Sequence, residues 1–277
     1  LLEDPDENVF NAIKSKVLQN PLEIVPLLEN FWVKSDNVLA NARAESIINE
    51  IYFSNIIKDL KQWKNSDSRE LLKGLMIVER FFDKTVETDE FEKQINALVN
   101  KIWLELNNQL TALEKIKVIN HALYKNNSLQ YVQKNKQTLI DSQITHLFNL
   151  KKFNDRNIGL IYSIIAQKLN IPLFLLNFDI AQFSVLGYID ESLAKAVFNK
   201  LDNSVVFYVM PSFFGEIWSQ KQLLVFCETH KIDVTNASII SVKPLSDSEI
   251  LKKWIDFKQG FSKDIDSNYI KYLKKLI

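Results

Sequence analysis

Cysteine, histidine, glycine and arginine are all scarce in this chain of 277 residues, and each scarcity removes a class of function. A single cysteine, Cys227, excludes an internal disulfide framework. With only His121, His146 and His230 beside it, a Cys/His metal cage lacks ligands. The five glycines form no G-x-G-x-x-G, no Walker loop and no G-x-S-x-G elbow, so phosphate cradles and a serine nucleophile of that kind are not expected. Four arginines are few for bidentate recognition of phosphates or base edges. Lys plus Arg and Asp plus Glu both number 34, so no basic excess points to nucleic acid. No apolar run nears the roughly 20 residues that span a bilayer; the best, 171–178 and 205–210, are strand length. The acidic opening Leu1-Leu2-Glu3-Asp4-Pro5-Asp6-Glu7 is unlike a basic signal peptide, so a cytoplasmic protein with no membrane partner is expected.

What is present is an ordinary globular composition, 47% hydrophobic and 25% charged, with enough length for a substantial core. The neutral total hides a split: residues 1–110 carry 13 basic and 19 acidic groups, and residues 111–277 carry 21 and 15. Acids placed in the first turns of helices account for this split more simply than docking between the halves.

Residues 1–110 read as helices throughout. Asp4-Pro5-Asp6-Glu7 has an acid at the cap, proline at the first helical position and a carboxylate at the third, so the first helix is expected to start there. Helical spacing then recurs from Pro21, from Asp36 to Trp63, after the polar break at 65–68, and from about Thr88 to Leu106. Short amphipathic helices with tight polar turns suggest stacked hairpins, and the aromatics at helical spacing read as core. From residue 111 the pattern changes. Helices are expected at about 112–124, 137–150 and 156–170, then strands at 172–178, 183–188 and 204–210, with 193–199 either strand or helical turn. A short strand at 215–218, a helix at 219–230 and a helical tail near 246–277 complete the chain. The expected fold is therefore α+β: a repeat-like helical domain, 1–110, followed by a second domain, 111–277, of helices on a small antiparallel sheet with a helical C-terminal tail.

Cys227-x-x-His230 places both side chains on one face of the 219–230 helix, as a nucleophile pair would require. Cys227 lies late in that helix among Leu223, Leu224 and Phe226, so a buried structural thiol is the expected role. Asp89/Glu90 and Asp264/Asp266 read as helix starts, and the short lysine clusters 134/136, 151/152 and 274/275 as solvated faces.

Several segments, in order, resemble the bacterial SirB-like proteins of the transglutaminase-like superfamily. They are the opening Leu1-to-Phe10 stretch, Ile119-Asn120-His121-Ala122-Leu123-Tyr124, Asp141-Ser142, the run from Tyr162 to Pro172, Phe207-Tyr208-Val209-Met210-Pro211, and Phe214-Gly215 with the helix that follows. The resemblance implies a helical N-terminal region before a papain-like transglutaminase core. In active members a cysteine at a helix N-terminus is activated by a strand histidine, which an aspartate orients. Here the nucleophile position falls at Asp155, Arg156 or Asn157, the histidine position at Gln182 or Phe183, and the aspartate position at Met210. None of these can replace the chemistry of the residue it displaces.

The function expected is thus a non-catalytic, transglutaminase-like binding or regulatory module for an unidentified protein or peptide, with no cofactor. Its degenerate cleft comprises Asp155, Arg156, Asn157, Gln182, Phe183, Tyr208 and Met210. The alternative is a hydrolase or acyltransferase with an unconventional site that pairs Asp155, Arg156 or Asn157 with Tyr208. A third reading is a helical scaffold whose second domain is only structural.

Overall fold

The computed structural model describes residues 2–18, 21–133, 136–138, 140–177, 184–190, 205–230, 243–262 and 265–277. Helix α1 spans Glu7–Val17, α2 Pro21–Lys34, α3 Val38–Asn65, α4 Leu71–Phe82 and α5 Thr88–Glu105. The first helix starts later than its sequence signal suggests. Asp6, not Asp4, is the cap and accepts from Asn8 N at 2.8 Å. The cause is the buried Arg43, which donates to the carbonyls of Leu2 and Asp4 and pairs with Glu7 at 2.8 Å. Those carbonyls can face a guanidinium only while the segment stays out of the helix.

Helix α6, Ala112–Asn120, opens on a Thr111–Glu114 capping box and continues into a π-helical turn at His121–Lys125. The continuous helix expected at 137–150 does not form. Two 3-10 turns, Ile140–Ser142 and Ile144–His146, lead instead into the short α7, Leu147–Leu150. Thr138 and Asp141 cap the first turn reciprocally, Asp141 Oδ2 accepting from the backbone N (2.8 Å) and Oγ1 (2.7 Å) of Thr138, and Gln143, extended at φ −86° and ψ 108°, breaks the helix between the two turns.

Around this segment runs a pairing with no sequence signal. Strand β1, Gln130–Tyr131, lies parallel to β2, Lys152–Phe153. Helix α8, Asp155–Lys168, follows β2 directly and is buried on nearly every side, with Ile158, Ile161, Tyr162, Ile164 and Ile165 wholly inaccessible. A helix apolar all round belongs at the centre of the molecule, and α8 sits there.

The remaining strands form one antiparallel sheet in the order β3 (Leu173–Leu175), β4 (Leu186–Ile189), β5 (Val205–Met210), β6 (Glu216–Trp218). The expected strands at 172–178 and 183–188 are thus shorter or shifted towards the C-terminus. The undecided 193–199 lies outside the described residues. The helix expected at 219–230 is α9, Gln220–Thr229, and the tail is two helices, α10 (Asp247–Gln259) and α11 (Ser267–Leu276). The molecule is therefore a mixed, mainly helical fold with small sheets.

Side-chain alternation divides the sheet's two faces. Leu186, Tyr188, Phe207 and Val209 join the main core with α8. Val185, Tyr208 and Met210 join a separate cluster with Leu223 and Cys227 of α9. The main core runs through the boundary drawn at residue 110, taking in α4, α5, α8, α10 and α11. A smaller cluster holds α1 and α2 against the first half of α3. No helix among the described residues is long and apolar enough to cross a membrane.

Candidate functional site

The N-terminus of α8 is built by its cap. Asn154 has an extended backbone (φ −122°, ψ 174°), and its Oδ1 accepts from Arg156 N and Asn157 N, each at 3.0 Å. Asn157 reciprocates through Oδ1, which accepts from Asn154 N at 2.8 Å. Asn154 Nδ2 donates to Asp141 O at 2.8 Å, tying the interrupted 138–146 segment to the same helix start.

Asp155 is the first residue of α8 and only 5% exposed. Its Oδ2 accepts from the Tyr131 hydroxyl at 3.0 Å, and its carbonyl accepts from Ser184 Oγ at 2.7 Å. Ser212 lies close enough to lower the carboxyl's pKa. Its Oγ and Asp155 Oδ1 are nevertheless both buried without a well-aligned hydrogen bond. Burial outweighs these contacts and raises the Asp155 pKa above its ordinary value. Burial also pushes the Tyr131 phenol up to about 12, with the Asp155 charge adding to it.

Ser212 belongs to the 3-10 turn Pro211–Phe213 that follows β5. The turn is held from α6 and its π-helical extension. The Tyr124 hydroxyl donates to Pro211 O at 2.7 Å, and Asn120 Nδ2 to Gly215 O at 2.8 Å. Asn120 is oriented in turn by the Tyr162 hydroxyl, which donates to its Oδ1 at 2.7 Å. Gly215 has φ 73°, and a Cβ there would stand 1.9 Å from Asn120 Oδ1, so the close approach requires glycine.

The residues singled out from the sequence separate on this framework. Asp155 and Asn157 share the helix start, but Asn157 is committed to the cap. Arg156 points elsewhere, with its guanidinium 5.4 Å from the Phe257 ring centre on α10. Tyr208 and Met210 are buried in the α9 cluster, where burial raises the Tyr208 phenol to about 12. Gln182 and Phe183 lie outside the described residues. Cys227 shares that cluster, and burial raises its thiol pKa, the reverse of an activated thiolate. The His230 ring packs on Phe226, 4.1 Å between centres.

The side chains around Asp155 that sequence reasoning missed are Tyr131, Ser184 and Ser212. Tyr131 arrives through the parallel β1–β2 pairing, for which two-residue strands leave no periodic pattern. Ser184 adjoins Phe183, and Ser212 lies two residues beyond Met210. The assembled site is a desolvated carboxyl hydrogen-bonded by the Tyr131 phenol and flanked by the Ser212 hydroxyl, with Ser184 on the backbone carbonyl and neither thiol nor imidazole among its hydrogen-bond partners. All three histidines are exposed.

A family model described as the transglutaminase-like superfamily matches residues 89–256, more than half of the chain. Neither the curated proteins nor the solved structures returned a match.

Proposed function

The chain belongs to the transglutaminase-like superfamily, and from that premise we propose that it is a non-catalytic member of the SirB-like kind that binds a protein or peptide, acting in the cytoplasm. The observation that carries this reading is Asp155. At the α8 N-terminus, the place that the resemblance assigns to the superfamily's thiol, stands a buried carboxyl hydrogen-bonded by Tyr131. A carboxylate there cannot form the thioester on which acyl transfer depends, and the one thiol of the chain is buried in the α9 cluster with a raised pKa. On this reading superfamily membership does not carry the activity with it, because function lives in the site and not in the fold.

The unconventional-enzyme reading draws no support from the placement of Arg156 against Phe257 and of Tyr208 in the α9 cluster. The test is amide hydrolysis and amine transfer on glutamine-containing peptides by the wild type and by Cys227→Ala. Release of ammonia should match the protein-free control for both. Turnover above that control by either would overturn the proposal.

A further inference from the structure

Phe214 follows the Pro211–Phe213 turn in the left-handed region, φ 54° and ψ 32°, a conformation bulky side chains rarely adopt. The hydrogen bonds of Gly215 N to Met210 O (3.0 Å) and of Asn120 Nδ2 to Gly215 O (2.8 Å) hold it there. That constraint does not bury the ring, which is 52% exposed. It stands edge-on to the buried Phe153, with centres 5.6 Å apart and planes at 89°. Tyr131, itself 36% exposed, packs against the same Phe153 at 5.6 Å and is anchored through its hydroxyl to Asp155. Two exposed rings are thus packed on one buried ring. A strained backbone such as that of Phe214 is the kind that clusters at active sites and ligand clamps.

Beside Tyr131 opens a cleft of about 440 Å³ whose lining includes Gln130, Lys136, Asp141 and Lys152. Lys136 and Lys152 are exposed and pair with no carboxylate among the described residues. The Asp141 carboxylate keeps its charge but is 9% exposed and turns Oδ2 to Thr138, so the two lysines are the exposed charges of the lining. Strand β1 uses Gln130 N and Val132 N to bond β2, so the backbone groups of Tyr131 between them face away from β2, on an edge that no strand pairs among the described residues. An open strand edge beside apolar and charged subsites is the geometry that accepts an added peptide strand.

We infer that Tyr131, Phe153 and Phe214, with Lys136 and Lys152 at the rim of the adjoining cleft, form a docking site for an extended segment of a partner protein that carries acidic side chains beside a bulky apolar one. The inference rests on the binding role proposed above and specifies its ligand. Charge complementarity selects the acidic partner, since the unpaired lysines would repel a basic one.

The experiment titrates the whole chain with fluorescein-labelled short peptides in which one phenylalanine is flanked by glutamates, by glutamines or by lysines, and reads anisotropy. The glutamate peptide should bind in a saturable, salt-sensitive way, roughly tenfold more tightly than its glutamine counterpart. Phe214→Gly keeps the left-handed backbone and removes only the ring, and Lys136→Gln/Lys152→Gln changes exposed side chains; each should weaken binding about fivefold or more. Circular dichroism confirms that both variants fold. No binding, no preference for the acidic peptide, indifference to both variants, or tighter binding to anionic vesicles or RNA would each overturn the docking site. Mass spectrometry of the recovered peptides separates the two proposals: deamidation or cleavage would sink the non-catalytic reading and leave the docking surface standing.

Discussion

At position 155 two physical effects oppose each other. The N-terminus of α8 favours negative charge, worth about 0.3–1 kcal/mol at an exposed site. Burial disfavours it and prevails, since the Asp155 carboxyl titrates above its ordinary value. The folded protein therefore holds this proton more tightly than the unfolded chain does. At pH below 3.8 both states are protonated and nothing is lost; as pH rises through the elevated folded value, ionisation favours unfolding and this contribution to stability falls. Asp155→Asn cannot ionise, so its thermal midpoint relative to the wild type should rise between acid and neutral pH. A constant difference would contradict the assignment. Tyr131→Phe removes the hydroxyl that supports the charged form and should cost about 1.5–3 kcal/mol at neutral pH in a denaturant titration. Apolar spacing starts a helix near 156, and the superfamily resemblance sets Asp155 and Asn157 at its N-terminus. Neither could foresee Tyr131, which lies 24 residues away and meets Asp155 only through tertiary pairing.

At the scale of elements, long periodic segments were the legible ones. Helices α3, α4 and α5 fall where apolar spacing puts them, and β5 lies where an apolar run ends in Pro211. Segment 137–150 was misleading because Gln143 takes an extended backbone between two short turns, a break that apolar periodicity does not register. The contact of α8 with Ser184, just before β4, is equally invisible in the sequence, although its glycine is not. A Cβ on Gly159 would lie 2.3 Å from both Cβ and Oγ of Ser184. Gly159→Ala should therefore destabilise the fold by about 1–3 kcal/mol, despite alanine's better helix propensity. Gly159→Ala/Ser184→Gly should recover part of that loss, a coupling that a double-mutant cycle measures.

Across the whole molecule, one buried ion pair joins the early helices to the C-terminal tail. Glu79 on α4 accepts from Trp254 Nε1 at 2.6 Å and from Lys258 Nζ at 3.2 Å, both on α10. Both charged side chains are almost wholly inaccessible. Lys258→Met leaves the carboxylate uncompensated and should cost about 3–5 kcal/mol. Glu79→Gln/Lys258→Met keeps an acceptor for Trp254 and should cost much less; equal losses in equilibrium unfolding would contradict this account. The sequence marks Glu79 only as a charge on an apolar face, because its partner lies 179 residues further along. The superfamily resemblance likewise marked the helix start at 155 as the place to look, whereas the hydrogen bonds that occupy it needed the fold.

On the function proposed above, the α8 N-terminus and its surroundings bind and do not react. One NMR titration of the isotopically labelled protein with a glutamine-containing acidic peptide, labelled at the glutamine carboxamide, tests this most directly. Shifts should be confined to the amides of 130–133, 152–155 and 212–215, while the carboxamide signal keeps its full intensity. Decay of that signal with release of ammonia would contradict it.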